Sequence, residues 1–472
     1  MALLGKTEQH QSWGRYPHLA ASQVEPLLWR SDLPDLSKTE LPLLPYGYGR
    51  SYGDSCLNEG GIQLDASHLN RFLAFDTENG LIRCEAGISL AEVLKVIVPK
   101  GWFLPVTPGT KFVSVGGAIA NDIHGKNHHR SGTFGCHVTQ FELWRSSGER
   151  FICSPSENVE LFRATIGGLG LTGLILWAEF KLKPITSPFI KMESIRFASL
   201  GEFFELSAES DTKYDYTVSW VDCIVTGKHM GRGRFMRGDS YNPGVKNLPR
   251  LKKGSKLTAP FDTPAFMLNT FSFQTFNTLY YHVHWQKRKK VIVHYDPFFY
   301  PLDSIHEWNR LYGTPGFLQY QLVVPDNDNH VAIKEIFRLI SNSGQSTNVV
   351  VLKNFGPIKS PGILSFPQPG VTLASDFTYK GQKTLQLLEE LDQIVRAAGG
   401  RVYPAKDARM SAESFQIYYP NWREFAQYVD PKFSSSFWRR VTAPVNSLDA
   451  LTDFSNNPTV QLNELHLGRV TN

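Results

Sequence analysis

The amino-acid sequence predicts an α+β protein, and three observations lead to this prediction. The chain has 472 residues, which is more than one hydrophobic core usually organises, so two domains are expected. Strand patterns, short helices and three glycine-rich turns alternate up to residue 185. Beyond residues 184–188 come aromatic-rich strand patterns and two amphipathic helices, which are typical of a large antiparallel sheet with helices on one face.

The elements of the first domain follow from hydrophobic periodicity and helix caps. Residues 89–92 form a capping box that opens one helix, and residues 154–157 form another with Pro155 at the first helical position. The glycine turn at 47–53 lacks the spacing of a dinucleotide-binding fingerprint. Strands are predicted at residues 41–45, 62–64, 81–86, 138–145 and 174–182.

The second domain is predicted from the same signals. Amphipathic helices are expected at 331–340 and 385–398, and Gly399 and Gly400 end the second of them. A basic segment at 228–256, punctuated by proline and glycine, interrupts the strands. Strands are predicted at residues 214–225, 271–285, 291–300 and 316–324.

Composition bounds the class of protein. Hydrophobic residues make up 42% and charged residues 20% of the chain, as in an ordinary soluble globular protein. The five cysteines are widely spaced without a C-x-x-C pair, which argues against a disulfide framework and a metal site and favours a reducing compartment. The start of the chain does not resemble a signal peptide, and no apolar run could span a bilayer. We therefore expect a cytoplasmic protein, at most peripheral on the inner membrane, with a periplasmic location left open.

The charge is unevenly distributed. Between Lys228 and Lys290 there are 13 Lys/Arg and two acids, a net charge of +11. With a total of +5, the rest of the chain therefore carries −6. Such a stretch favours an anionic partner, which could be a phosphate, a membrane surface or a nucleic acid, and a solvated flexible loop is the alternative. A nucleic-acid partner is not expected, because the stretch contains no recognised binding module.

Residues 105–135 form the most unusual segment, with six glycines and the histidines His124, His128 and His129. Glycine allows the backbone to approach a ligand closely, so the segment predicts main chain lying against a flat or phosphorylated ligand. His124 and His128 have the spacing of a zinc-binding helix, but Gly125 stands where the catalytic Glu would be, so no metal is expected. We expect His124 to face the reactive ring of a cofactor. The alternative is a histidine with a core or capping role.

Four polar residues in apolar surroundings complete the candidate site. Gln319 and Gln321 share one face of a predicted strand by alternation, and two amides there are costly unless a polar partner satisfies them. Lys353 also lies in a strand pattern, and Lys406 lies between apolar residues as a ligand anchor or a base. Hydrogen bonds between strands and a surface salt bridge are the alternatives.

Several motifs in this order resemble a known family. GYGRSYGDSCLNEGG, PVTPGTKFVSVGGAIANDIHGKNHH, GGLGLTG, EWNRLYGTPGFLQYQLVVP, LSFPQPG and YPAKDAR are similar to the flavoprotein subunits of decaprenylphosphoryl-β-D-ribose 2′-epimerase. These subunits belong to the vanillyl-alcohol-oxidase-type (VAO, PCMH-type) FAD-binding oxidoreductases. The resemblance runs from Trp13 to Trp438. HGKNHH and FLQYQ together are specific, whereas the glycine turns alone indicate only the broad flavin superfamily.

The resemblance implies a two-part FAD-binding domain, residues 1–186 completed by 401–472, with an inserted substrate domain at 187–400. It implies that Lys406, His124 and Tyr52 are catalytic. The residues implied to bind the substrate are Trp220, Gln319, Gln321, Asn348, Lys353, Phe355 and Lys406. The residues implied to bind FAD are Gly49, Arg50, Ser51, Tyr52, Gly53, Gly109, Thr110, Val115, Gly116, Gly117, Ala120, Asn121, Ile123, His124, Gly125, Gly170, Gly173, Tyr403 and Ala405.

The resemblance also implies a reaction. The ribose 2-hydroxyl of a polyprenylphosphoryl-β-D-ribose would be oxidised to the 2-keto intermediate, as the first half of epimerisation to the arabinose donor for cell-envelope glycans. The C2–H would leave as hydride to the flavin, and the hydroxyl proton would pass to Lys406 or, as second choice, His124. An NADH-dependent short-chain reductase would then act on the keto product.

Two positions set expectations of their own. Arg50 stands where some members of the superfamily attach flavin through a histidine, so non-covalent FAD is expected. Ala374 stands where the family has a pocket cysteine.

The alternative function is an FAD-dependent oxidase of a soluble sugar, alditol or aldonolactone. A catalytically silent flavin-binding or lipid-binding module is a further alternative.

Overall fold

The computed structural model describes residues 10–242, 257–259, 261–264, 267–326, 328–345 and 349–444. Asn348, one of the predicted substrate contacts, lies outside these ranges, as do residues 243–256 of the basic segment. All five cysteines are described, and none of them forms a disulfide. Within the described ranges, no helix combines the length and the apolar composition needed to cross a membrane.

The first part of the chain forms two small sheets and a strand pair. Strands β1, β3 and β2 make a parallel three-stranded sheet, β4-β5-β9-β7-β8 make an antiparallel five-stranded sheet, and β6 pairs with β10. The predicted strands of this region are confirmed to within a few residues. The bounds are β1 Gln23–Pro26, β2 Leu43–Tyr46, β3 Ile62–Asp65, β4 Phe72–Asp76, β5 Leu81–Glu85, β6 Trp102–Phe103, β7 Val138–Trp144, β8 Arg150–Cys153, β9 Leu174–Lys181 and β10 Lys183–Pro184.

Four helices accompany these strands: α1 Leu90–Ile97, α2 Val115–Ala120, α3 His128–Ser131 and α4 Val159–Thr165. The predicted capping box of α1 is confirmed, because the Ser89 side chain accepts from the Glu92 N–H while the Glu92 carboxylate accepts from the Ser89 N–H. The second predicted box is wrong. The Ser154 hydroxyl accepts the Glu157 N–H within a turn, and α4 begins only after Asn158, whose φ is +48°.

The later part of the chain forms one eight-stranded antiparallel sheet in the order β15-β11-β13-β12-β18-β19-β17-β20, and β14 pairs separately with β16. The predicted large antiparallel sheet is therefore observed. Its bounds are β11 Phe189–Phe197, β12 Tyr216–Val221, β13 Gly233–Ser240, β14 Leu257–Thr258, β15 Arg288–His294, β16 Ile305–His306, β17 Phe317–Val324, β18 Val350–Phe355, β19 Gly370–Thr378 and β20 Arg401–Val402.

Eight further helices are α5 Leu200–Asp211, α6 Thr270–Tyr281, α7 Tyr295–Phe299, α8 Val331–Ser343, α9 Gln382–Ala397, α10 Ala412–Tyr418, α11 Trp422–Ala426 and α12 Ser436–Val441. The two predicted amphipathic helices are confirmed as α8 and α9. Their apolar stripes pack on the sheet, where Phe337 and Leu388 share a buried core with Leu322 and Leu352. This core covers one face of the eight-stranded sheet and leaves the other face for the site.

Two predicted strands are wrong in whole or in part. Residues 270–281 form α6, which the Asn269 side chain caps by accepting the Ser272 N–H. The aromatic composition suggested a strand, but no strand within the described ranges pairs with the segment, and a local cap favours helix. The strand predicted at 291–300 ends at His294, because the His294 side chain accepts the Asp296 N–H and starts α7.

The C-terminal segment returns to the start of the chain. The Leu43 N–H donates to the Lys432 carbonyl oxygen over 2.7 Å. Arg440 on α12 contacts two buried carboxylates, Asp54 at 2.7 Å and Asp407 at 3.0 Å. The same segment also supplies β20, so it holds the small sheets against the large one.

Candidate cofactor and substrate site

One large cavity, about 730 Å³ in volume, lies between the glycine turns of the first part and the open face of the eight-stranded sheet. Its walls come from several parts of the chain, among them the turn at 47–52, residues 107–126 around α2, one face of the sheet, residues of α6, residues 299–312 and residues 403–406. Pockets of this size bind cofactors and drug-sized ligands. The fold thus joins distant segments into a single site.

The turn at 47–52 has the chemistry of an anion site. Gly49 has φ of +58°, a conformation that glycine adopts without strain. Among the described residues, no acceptor lies within hydrogen-bonding distance of the backbone N–H groups from Gly47 to Ser51. These donors line the cavity, and consecutive unpaired N–H groups favour a phosphate. The turn therefore fits the pyrophosphate of a dinucleotide.

Helix α2 offers a flat, small-residue surface beside this turn. The Ser114 side chain caps α2 by accepting the Gly117 N–H at 3.1 Å. A Cβ on Gly116 would lie 3.0 Å from Ala86, so glycine is what allows α2 to pack this closely. The Tyr403 hydroxyl donates to the carbonyl oxygen of Asn121 at 2.7 Å. The C-terminal segment thereby closes the cavity over α2.

Alternation along the strands directs polar side chains of the sheet into the cavity. Gln319 and Gln321 on β17 and Lys353 on β18 line it. Ala374 on β19 lies opposite Gln321 on one side and Val351 on the other, and it lines the same wall. The middle of this sheet face is therefore open at Ala374 and polar around it.

His124 lies half-buried at the meeting point of the two parts. Its Nδ1 lies 2.9 Å from the Lys353 amine, and its Nε2 lies 2.9 Å from the Gln321 amide nitrogen. The Lys353 amine also donates to the Gly125 carbonyl oxygen at 2.8 Å. Burial, and next the charge of Lys353, lower the pKa of His124 well below its ordinary value. His124 is therefore neutral near pH 7.

The hydrogen bonds around Gln321 indicate which nitrogen of His124 carries the proton. The Thr372 hydroxyl donates to the Leu322 carbonyl oxygen at 2.7 Å and accepts from the Gln321 amide at 3.3 Å. The second N–H of this amide then donates to Nε2 of His124, which places the imidazole proton on Nδ1. This arrangement needs Lys353 in its neutral form, which is populated near pH 7 because burial, and next the charges of Lys126 and Lys406, lower the pKa of Lys353 to about 7.

Lys406 lies at the other end of the polar wall. Its Nζ is 3.8 Å from the centre of the Tyr52 ring, and no acceptor among the described residues is within hydrogen-bonding distance of it. Burial lowers the pKa of Lys406 to about 7, against the opposing charge of Asp376. Asp376 is buried too, which raises its pKa to about 6, and it accepts from Gln319 at 2.5 Å and Tyr312 at 2.7 Å.

Most of the predicted site residues line this one cavity. Three do not: Gly53 packs so tightly that a Cβ would lie 1.8 Å from the Asp407 carbonyl oxygen, Val115 is fully buried in the core, and Phe355 packs behind His124 at 4.9 Å between ring centres. The predicted residues on the wall are Gly49, Arg50, Ser51, Tyr52, Gly109, Thr110, Gly116, Gly117, Ala120, Asn121, Ile123, His124, Gly125, Gly170, Gly173, Trp220, Gln319, Gln321, Lys353, Tyr403, Ala405 and Lys406.

Sequence reasoning missed several titratable groups here, among them Asp376 and Lys126. Asp376 follows Ala374 by two residues on β19 and so shares its face of the sheet; an acid inside an apolar strand was the available signal. Lys126 lines the cavity, donates to the Phe298 carbonyl oxygen at 2.6 Å, and has a pKa lowered to about 8 by burial. No local pattern distinguishes it from a surface lysine.

Comparison with known proteins agrees with this geometry. A family model described as an FAD binding domain matches residues 34–154, which include the anion-site turn and α2. A decaprenylphosphoryl-beta-D-ribose oxidase of Mycolicibacterium smegmatis is 38% identical over 410 residues, 84% of this chain and 88% of that protein.

Two further relatives are less similar or match a shorter stretch. An uncharacterised Streptomyces coelicolor protein is 32% identical over 75% of this chain and 100% of its own length. A putative D-arabinono-1,4-lactone oxidase of Neurospora crassa is 31% identical over only 30% of this chain and 25% of its own length. The cofactor of this site is FAD, and the chain belongs to the decaprenylphosphoryl-beta-D-ribose oxidase family of FAD-binding oxidoreductases.

Proposed function

We propose that this protein oxidises the 2-hydroxyl of a polyprenylphosphoryl-β-D-ribose to the 2-keto intermediate, the first half of an epimerisation toward an arabinose donor. The observation that carries the proposal is the 38% identity to the Mycolicibacterium oxidase across 84% of this chain and 88% of that protein. The polar wall of the cavity supports it, because amides and amines can bind the hydroxyls of a sugar.

The domain division proposed here is residues 1–186 with 401–472 around the cofactor, and 187–400 as the inserted substrate domain. The return of the C-terminal segment to Leu43 and Asp54 supports it. The pairing of β20 with β17 means that the two units also share a strand pair near the boundary.

FAD, when bound, supplies an acceptor for two electrons from the substrate carbon. The turn at 47–52 would hold its pyrophosphate, and α2, Tyr403 and Ala405 would hold its ring system. We propose that FAD is dissociable, because Arg50 stands where some members of the superfamily attach flavin through a histidine. The Arg50 side chain instead donates to the Phe112 carbonyl oxygen at 3.2 Å and stacks 4.1 Å from the centre of the Trp13 ring. Acid precipitation of the protein should leave the flavin absorbance in the supernatant; flavin in the pellet would contradict this.

Lys406 is the proposed base. It must accept the hydroxyl proton while the carbon is oxidised, and its lowered pKa makes the neutral amine available near pH 7. His124 is the weaker candidate, because its imidazole is already engaged by Lys353 and Gln321. We propose that His124, Lys353 and Gln321 position the substrate, and that Tyr52 forms the part of the wall against which Lys406 packs.

Turnover should therefore rise with pH through about 7. Below this value Lys406 is protonated and cannot accept a proton, so kcat should fall about tenfold for each further pH unit. Above it the amine is neutral and kcat should level off. A stopped-flow measurement of flavin reduction between pH 5.5 and 9 checks this, and a rate independent of pH across neutrality would exclude Lys406 as the base.

Substrate class is tested by anaerobic reduction of the holoprotein. Addition of a polyprenylphosphoryl-β-D-ribose should bleach the flavin band, whereas free ribose, alditols and aldonolactones should not. Hydrogen peroxide formed rapidly from a free sugar or lactone would favour the soluble-sugar oxidase instead. A flavin that none of these compounds reduces would favour a catalytically silent module.

Substitution of Ala374 by cysteine should leave turnover within about twofold, because the added atom enters an open part of the wall. The variant should gain inhibition by a thiol reagent that the parent protein lacks. Cys56, which also lines the cavity, is not expected to react, since burial raises its pKa to about 12. Inactivation kinetics with and without the reagent check both statements.

Two partners are proposed at the level of chemistry. A separate NADH-dependent short-chain reductase would consume the keto product, and anionic lipid headgroups would attract the basic stretch. Reversing the charge of Lys252, Lys253 and Lys256, which lie outside the described residues, should weaken binding to anionic lipid. Unchanged binding would show that this stretch does not contribute to lipid binding.

A further inference from the structure

Helix α6 has an unusual composition for a helix on a surface. Its twelve residues contain no charged side chain, and of them only Asn277 is buried. Asn277 holds the helix to the protein by donating to the Asp222 carboxylate at 2.9 Å. A surface helix in water normally carries charged residues on its outer face, whereas the polar side chains exposed on this helix are all uncharged.

The apolar residues of α6 divide into two rows. Phe273, Phe276 and Tyr280 line the cavity. By the 3.6-residue period of the helix, Phe271 lies opposite these three residues and Leu279 lies on the flank between, and the two are 77% and 69% exposed. One helix thus forms the rim of the cavity with one row and an exposed apolar surface with the other.

The exposed surface continues into the next segment. Val283 is 53% and Trp285 97% exposed, and the basic run 287–290 then leads into β15 at the edge of the large sheet. Exposed apolar patches beside charge mark sites of association. We use the term rim surface for Phe271, Leu279, Val283 and Trp285 together with residues 287–290.

We propose that the rim surface docks onto an anionic lipid bilayer. Tryptophan, phenylalanine and leucine enter the boundary between headgroups and acyl chains, and neighbouring lysines and arginines bind anionic headgroups. This inference rests on the proposed function, because a lipid-linked sugar would move from the bilayer past α6 into the cavity. It adds which face meets the membrane and which side chains enter it.

The charge on the rim surface favours a bilayer over a second copy of this chain. A symmetric dimer through this surface would bring the same patch of each subunit together. Residues 287–290 are all basic, so such an interface would oppose like charges. An anionic bilayer accommodates the apolar side chains and the cations at once.

The test uses the full-length holoprotein and vesicles of phosphatidylcholine with or without phosphatidylglycerol. The parent protein should sediment with the anionic vesicles and much less with phosphatidylcholine alone. The triple variant Phe271→Ser, Leu279→Ser, Trp285→Ser should bind anionic vesicles roughly tenfold or more weakly. A matched control, Leu28→Ser with Ile417→Ser, removes exposed apolar side chains elsewhere and should bind as the parent does.

A second readout separates docking from catalysis. Oxidation of a short-chain, water-soluble prenylphosphoryl ribose should be equal in the parent and the triple variant, because none of the three residues lines the cavity. Failure of the parent to bind anionic vesicles, or equal binding by the triple variant, would overturn the docking proposal. A concentration-dependent dimer that the triple variant abolishes would overturn it in favour of a second copy. Vesicle binding as expected without oxidation of the ribose would support docking and overturn the proposed function.

Discussion

Lys406→Met is expected to lower kcat by about 10²- to 10⁴-fold, the contribution usually made by a positioned general base. Methionine keeps the length and the apolar stem of the side chain but cannot accept a proton. The Lys406 amine has no hydrogen-bond acceptor among the described residues and lies against the Tyr52 ring, so its removal should disturb few other contacts. Anaerobic flavin reduction in single turnover measures the effect directly.

Lys383→Met is the matched control, since Lys383 is exposed on α9, and it should leave kcat unchanged. The Lys406 variant should keep its flavin spectrum and its affinity for FAD, and its residual rate should lose the rise with pH. His124→Gln provides the contrast: it should lower the rate but keep the pH profile. A Lys406→Met variant that reduces its flavin at the rate of the parent protein would show that another group is the base.

Arg440→Met should lower the free energy of unfolding by about 3 kcal/mol, in the range found when one partner of a buried ion pair is removed. Arg440 contacts Asp54 and Asp407, whose side chains are both almost fully buried. Without the guanidinium, two neighbouring carboxylates would lose their counter-charge in a low-dielectric environment. The C-terminal segment should then hold the start of the chain less firmly.

Urea denaturation of the holoprotein, followed by circular dichroism, measures this loss. Arg338→Met is the control, because the pair of Arg338 with Glu335 is exposed on α8, and exposed pairs contribute only about 0.2–1 kcal/mol. Equal effects of the two substitutions would show that the Arg440 contacts do not hold the segment in place. Loss of FAD before the main transition in the Arg440 variant would agree with a role in closing the cavity.

Local signals predicted much of the fold. The capping box at Ser89 and the stripes of α8 and α9 are confirmed, since a cap or a stripe depends on residues within a few positions. The strand prediction for residues 271–285 was wrong, because it relied on aromatic content, whereas the cap at Asn269 starts a helix there. The helix start predicted at Ser154 was also wrong, because the Ser154 hydroxyl stabilises a turn. In the first case a side chain accepted a backbone N–H and started a helix, and in the second it accepted a backbone N–H and formed a turn.

By itself, the sequence determined the glycine turns, the order of the motifs and the alternation that gives Gln319 and Gln321 one face, because these depend on residue type and short spacing. Only the tertiary structure decided that Lys353 meets His124 from 229 positions away and that Asp376 lies near Lys406. The protonation of these groups depends on burial and on partners from distant segments, and neither is encoded in any local pattern.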